Sequence, residues 1–149
     1  MVGGPYRGDI QTVHVPIFTS SSFRRDVELQ LTEAVQKEIQ QQTHFRLAKA
    51  PYADTELRGH IVQINKNVLG ESAFDDPREL QYSLAVQVTW TDLRTGREEQ
   101  RQIQIAPDLV HLLSTADYAP ELGQSMATAR QQAVQRLARQ IVRMMQTPW

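Results

Sequence analysis

Between Leu80 and Trp90 the chain alternates so regularly that few folds remain open to it. Leu80, Tyr82, Leu84, Val86, Val88 and Trp90 fall on one side of an extended backbone, and Gln81, Ser83, Gln87, Thr89 and Thr91 fall on the other. Successive side chains of a strand point to opposite faces, so one face belongs to a core and the other meets water or a polar partner. Such a strand needs an apolar cover on one side only.

Two helical patterns can supply that cover. Phe23, Val27, Leu31, Ala34, Val35 and Ile39 recur at three- and four-residue spacing between Phe23 and Gln42, behind the helix-capping run Thr19-Ser20-Ser21-Ser22. Met126, Ala133, Leu137, Ile141 and Met144 do the same from about Pro120 to Gln146, with Val134 and Met145 at the margin and a proline near the first turn. The remaining segments read as strands and turns. In Ile10–Phe18, Val13, Val15 and Ile17 share a side, while Pro16, which cannot donate a ladder hydrogen bond, favours an edge or a strand end. Thr43–Ala48 is a short strand. Thr55–Leu69 is a longer one whose alternation slips between Ile61 and Ile64, the sign of a bulge. Gly70–Arg78 is a polar loop, Asp92-Leu93-Arg94-Thr95-Gly96 a hairpin turn, and Arg97–Ala106 the return strand. Leu109–Leu113 is read as a short helical turn or a cover for the core edge.

The expected fold is therefore α+β: a two-layer sandwich with two long helices on one face of a mixed, mostly antiparallel sheet of four to five strands. The other sheet face stays hydrophilic. Residues 1–9, with three glycines and a proline, read as a flexible leader, and residues 10–149 as a single domain. A chain of 149 residues suits one core.

Composition removes several kinds of chemistry. The absence of cysteine excludes disulfides, thiolate metal sites and thiol nucleophiles. A formal net charge of -1 gives no bulk attraction to nucleic acid. No run approaches the roughly 20 apolar residues that span a bilayer. The first residues are neither basic nor apolar, so the sequence as given opens without a signal peptide, which an exported protein would have lost. His14, His44, His60 and His111 are scattered, with no metal-binding spacing. There is no Gly-x-Ser-x-Gly elbow and no phosphate-cradling glycine loop. Asp75 and Asp76, with Glu71 and Glu79, read as a solvated loop rather than a calcium corner. Neither a catalytic residue, a metal site nor a cofactor is expected.

The positions that invite an interaction are these. Arg130 projects near the centre of the second apolar stripe and Glu28 onto the inner side of the first, so a structural ion pair between the helices is expected. Arg136, Arg139 and Arg143 suit the C-terminal end of a helix dipole. Arg94, Arg97 and Arg101 surround the hairpin tip and form the candidate contact for an anionic lipid, diluted by Glu98 and Glu99. Gln81, Ser83, Gln87 and Thr89 form the candidate partner-facing sheet.

The run Thr12-Val13-His14-Val15-Pro16-Ile17-Phe18, followed by Phe23-Arg24 and Glu28-x-x-Leu31-Thr32-Glu33-Ala34, resembles the start of the LptE-like lipopolysaccharide-assembly lipoproteins. So do Ala53-Asp54-x-x-Leu57-x-Gly59-x-Ile61, the turn Asp92–Gly96, the helix segment Ala129-Arg130-x-x-Ala133-x-x-x-Leu137-Ala138-x-x-Ile141, and Gly4-Pro5-Tyr6. The resemblance covers about residues 4–145 and rests on core and turn positions. It implies a non-catalytic protein held at the periplasmic face of the outer membrane by an N-terminal lipid whose cysteine this sequence lacks. It also implies a partner, an LptD-like β-barrel translocon that the protein plugs and helps assemble, and lipopolysaccharide as a further ligand. Two other readings stay open on the residues: a periplasmic accessory domain of another secretion system with a similar βαβ start, and a small enzyme with an unrecognised pocket.

Overall fold

The fold is that of a computed structural model describing residues 11–21, 26–50, 52–69, 78–94, 99–105, 110–114 and 119–146, with side chains of 65–69, 78–80, 99–105, 110–114 and 119–124 left aside. The leader, Phe23, the loop carrying Asp75 and Asp76, the turn residue Gly96 and Arg97 lie outside the described residues. The elements are β1 (Thr12–His14), β2 (Thr19–Ser20), α1 (Asp26–Gln42), β3 (Arg46–Leu47), β4 (Thr55–Leu69), β5 (Arg78–Asp92), β6 (Glu99–Ile105), β7 (Val110–Ser114) and α2 (Ala119–Met145).

Five strands lie in the order β3-β1-β4-β5-β6, with the short β2 attached to β4 and β7 attached to β5. The long β4–β5 ladder, from Thr55↔Asp92 to Leu69↔Glu79, is antiparallel, as are β5–β6 and β5–β7. However, β1–β3, β1–β4 and β2–β4 are parallel, so three of the six pairings run that way. The expectation of a mostly antiparallel sheet underrated this parallel half. It arises because α1 lies between the first strand and β3, and a crossover helix returns the chain in the same direction. The anticipated bulge is present, with the β4–β5 register shifting between Ile61 and Gln63.

The first expected strand is broken by Pro16. Val13 pairs with Thr55 and His14 with Glu56, but Thr19 pairs with His60, so one extra residue is accommodated between β1 and β2. A one-residue slip exchanges the faces of everything beyond it. Ile17, expected inside, is 61% exposed, and Phe18 takes its place in the core. Two α1 side chains hold this irregular stretch. Gln36 Nε2 donates to the Val15 carbonyl (3.1 Å), and the Phe18 N–H donates to Thr32 Oγ1 (2.9 Å). The same Thr32 hydroxyl donates to the Glu28 carbonyl (2.6 Å), so its hydrogen-bonding capacity is used in both directions.

One core joins both helices to one sheet face: Val13, Leu57, Ile61 and the β5 residues Tyr82, Leu84, Val86, Val88 and Trp90 meet Leu31, Val35, Ile39, Val134, Leu137, Ile141 and Met145. Phe45 and Trp90 pack edge to face at 5.7 Å. The α2 stripe is wider than expected, because this helix packs against α1 on one flank and against β5, β6 and β7 on the other. Val134 and Met145 are fully inside, Met126 and Met144 are only partly buried, and the small Ala129, Ala133 and Ala138 let the layers approach. Residues 110–114 form an edge strand along the start of β5, from Arg78↔Ser114 to Tyr82↔Val110, rather than a helical turn.

Candidate functional site

Two regions present themselves to a partner: the sheet face turned away from the helices, and the end of the sandwich where β4 begins and β5 ends. The outer face follows from β5 alternation. Gln81, Gln87 and Thr89 are half-buried there and belong to the sheet surface, whereas Ser83 is only 4% exposed. Ser83 is a short side chain on a middle strand, below the level of its longer neighbours, and so is not the accessible hydroxyl that alternation alone suggested. On β4 the same face carries Arg58, which pairs with Glu56, and His60, whose Nδ1 is hydrogen-bonded to Thr19 Oγ1 at 2.8 Å. Val62, pushed out by the bulge, is 55% exposed.

Asp54 and Asp92 organise the end of the sandwich. Asp54 Oδ2 accepts the N–H groups of Gln11 (2.9 Å) and Thr12 (3.1 Å), and the Asp54 N–H donates back to Thr12 Oγ1 (2.7 Å). The Leu93 N–H donates to the Asp54 carbonyl (2.9 Å), which ties the β5 exit to the β4 entry. The Ala53-Asp54 signature thus fastens the start of the chain to the sheet. Asp92, fully buried, accepts the Arg94 N–H (3.0 Å) and is gripped by the Arg94 guanidinium through Nε (3.1 Å) and Nη2 (2.9 Å). Of the three arginines expected to meet a lipid, Arg94 is thereby fixed by an acid two residues away, Arg97 lies outside the described residues, and Arg101 is placed only by its backbone, opposite Trp90.

Glu28 and Arg130 do not form the expected direct ion pair among the described residues. Both charges instead act on Tyr82. Burial raises the phenol above its ordinary 10.0, Arg130 pulls it down and Glu28 adds to the rise. Glu28 accepts the Ser20 hydroxyl on Oε1 and keeps Oε2 buried without a protein partner, and Arg130 Nε is in the same position. The helix projections placed the two charges on the correct faces but could not fix the distance between them. Among the described residues an inter-helix ion pair joins Arg139 Nε to Glu38 Oε1, at 3.9 Å. It borders a groove of about 340 Å³ with Gln42, Val142, Arg143 and Gln146.

The histidines whose side chains are described sit apart. His14 Nδ1–H donates to the Ala48 carbonyl (3.2 Å), His60 bonds Thr19 as above, and His44 lies against Phe45. Among the described residues no group of His, Asp and Glu could hold a metal ion, and no helix is long and apolar enough to cross a membrane. Sequence reading quoted Gly59 in a motif but gave it no role; it lies on the inner face of β4 opposite Val88. A Cβ there would lie 2.3 Å from the Phe18 ring, so the close approach of ring and strand requires glycine. The Leu57-x-Gly59-x-Ile61 spacing, with glycine at an inward position, was the available signal.

The family model described as LptE, lipopolysaccharide-assembly, matches residues 10–145. No curated protein matches the chain in sequence. Among solved structures, a Xanthomonas campestris protein aligns with a TM-score of 0.52 at 9% identity, over 87% of this chain and 81% of its own. A hypothetical protein of Chlamydia trachomatis aligns with a TM-score of 0.50 at 10% identity, over 87% and 96% respectively. At these identities the likeness is one of fold. Rare lipoprotein B of Shewanella oneidensis aligns with a TM-score of 0.48 at 15% identity, over 89% of this chain and 92% of its own.

Proposed function

Because the chain belongs to the lipopolysaccharide-assembly (LptE) family, we propose that it acts without catalysis, as a lipid-anchored component at the periplasmic face of the outer membrane that seats in a β-barrel lipopolysaccharide translocon. The observation that carries this reading is the asymmetry of the sheet. Both helices and the large apolar side chains of the core among the described residues lie on one face. The outer face of β5 offers Gln81, Gln87 and Thr89, groups that hydrogen-bond without carrying charge. A barrel lumen is lined by polar side chains and water, and a rigid body that fills it must keep those groups satisfied. Amide and hydroxyl side chains on a flat strand surface do so at little desolvation cost compared with buried charges. Lipopolysaccharide contact through the hairpin arginines is a finer part of the same reading, with Arg97 and Arg101 its remaining bearers once Arg94 is held by Asp92.

The test is co-purification of the full-length native protein from outer membranes. A stoichiometric β-barrel partner is the expected result. Recovery of the protein solely from the soluble fraction, or in membranes without any barrel protein, contradicts the proposal.

A further inference from the structure

We infer that a water molecule is built into the corner where α1, α2 and β5 meet, accepting from Arg130 Nε and donating to Glu28 Oε2 beside the Tyr82 phenol. The three protein groups come from three elements: Glu28 from the first turn of α1, Arg130 from the middle of α2, and Tyr82 from the inner face of β5. Because α2 packs on both α1 and β5, it draws these elements to one corner. Glu28 is 3% exposed and Tyr82 2%, so neither is a surface group. The phenol feels both charges, which sets Glu28 and Arg130 within electrostatic reach of the same hydroxyl.

Each of the three has hydrogen-bonding capacity that the protein does not meet. Ser20 occupies Glu28 Oε1, while Glu28 Oε2 is buried with no protein partner. The Arg130 Nε–H is buried in the same condition. The Tyr82 hydroxyl makes no hydrogen bond among the described residues. A buried polar group left unpaired is costly, and an uncompensated buried charge is more so. Folded interiors meet such demands with protein groups or with ordered water. Here the direct solution, an ion pair between the two helices, is not the one the side chains adopt.

The pattern of donors and acceptors selects the occupant. A carboxylate oxygen only accepts, the guanidinium Nε–H only donates, and a phenol does both. A cation placed among them would face the guanidinium, and an anion would face the carboxylate. The occupant is therefore neutral and both donates and accepts. The burial of Glu28 Oε2 and Arg130 Nε leaves no approach for a bulky group. Water fits, with enough polar partners to hold an internal molecule in place. A bridge of this kind is nearly as good as a direct hydrogen bond. It lets two charges that do not touch support each other across the helix pair. The bridge belongs to the interior and is independent of what docks on the outer sheet.

The test starts from the unmodified full chain. A crystal structure at a resolution that shows ordered water is expected to place a water peak within hydrogen-bond distance of both Glu28 Oε2 and Arg130 Nε. A direct Glu28–Arg130 ion pair, or separated side chains with no density between them, overturns the inference. In solution, the Arg130 Nε–H resonance is expected to show cross-relaxation with water of the sign given by a long-lived internal molecule. That signal should persist in Tyr82→Phe, where no phenol proton can relay it. A signal that is absent, or lost with the phenol, overturns the inference. Glu28→Gln and Arg130→Met should each lower the urea midpoint, and together lower it by less than the sum of the two losses. Strict additivity would mean that the two charges are not joined, and overturns the bridge. The crystal and resonance measurements on the unmodified chain decide the question even where a charge variant fails to fold.

Discussion

Gly59→Ala is the perturbation whose outcome the structure fixes most tightly. The new Cβ would stand 2.3, 2.5 and 2.7 Å from three atoms of the Phe18 ring. Phe18 has little room to yield, since its side chain is 1% exposed and its backbone N–H is held by Thr32. One extra methyl in a packed core costs about 1–3 kcal/mol when side chains and backbone must move. Replacing glycine by alanine returns about 0.4–1 kcal/mol by restricting the unfolded chain. A net loss of about 1–2 kcal/mol follows. At this chain length that lowers Tm by about 2–8 °C. Urea and thermal unfolding of the wild type, Gly59→Ala, Phe18→Leu and the double variant form a cycle. Phe18→Leu should destabilise less in the Gly59→Ala background than alone, with a coupling of about 1 kcal/mol or more. A Gly59→Ala protein as stable as the wild type, or strictly additive variants, would refute the assignment of Phe18 as the reason for this glycine.

Three further outcomes follow from the hydrogen bonds and the phenol. Asp54→Ala strips the acceptor from the Gln11 and Thr12 N–H groups and should cost about 1–3 kcal/mol in urea unfolding, with early exchange of the Thr12 amide. Thr32→Val leaves the buried Phe18 N–H without an acceptor and should cost about as much, whereas Thr32→Ser keeps the hydroxyl and should retain most of the stability. Tyr82 titrates above its ordinary 10.0 in the folded protein, because burial and Glu28 outweigh Arg130. The unfolded phenol therefore ionises first, so stability is intact below about pH 10 and falls as pH rises from there through the folded value. Ultraviolet titration should show a late-ionising phenol whose contribution Tyr82→Phe removes, together with a gentler loss of stability above pH 10.

Where alternation was unbroken, the sequence carried the structure. The β4 boundaries, the bulge after Ile61 and the inward set Tyr82, Leu84, Val86, Val88 and Trp90 could all be read in advance. The errors arose where a neighbour decided the outcome. Ile17 exchanged places with Phe18 because a one-residue slip beside Pro16 is a property of the pairing with β4, not of residues 10–18 alone. Val134 and Met145 moved to the centre of the core because α2 serves two layers. Residues 110–114 became a strand because the start of β5 offered them an open edge. The candidate site was legible in the same measure. Gln81, Gln87 and Thr89 lie on the surface that alternation assigned them, but the burial of Ser83, the Asp92 grip on Arg94 and the Glu28–Arg130 separation depend on distances that periodicity does not encode.

The docking face is tested most directly by a photo-cross-linking amino acid installed, in the full-length native protein within intact cells, at Gln87 or Thr89 on the outer sheet and at Gln132 on the exposed side of α2. The account predicts adducts from positions 87 and 89 to one outer-membrane β-barrel protein, and none to that protein from position 132. Barrel adducts from position 132 with silence at 87 and 89 would contradict it.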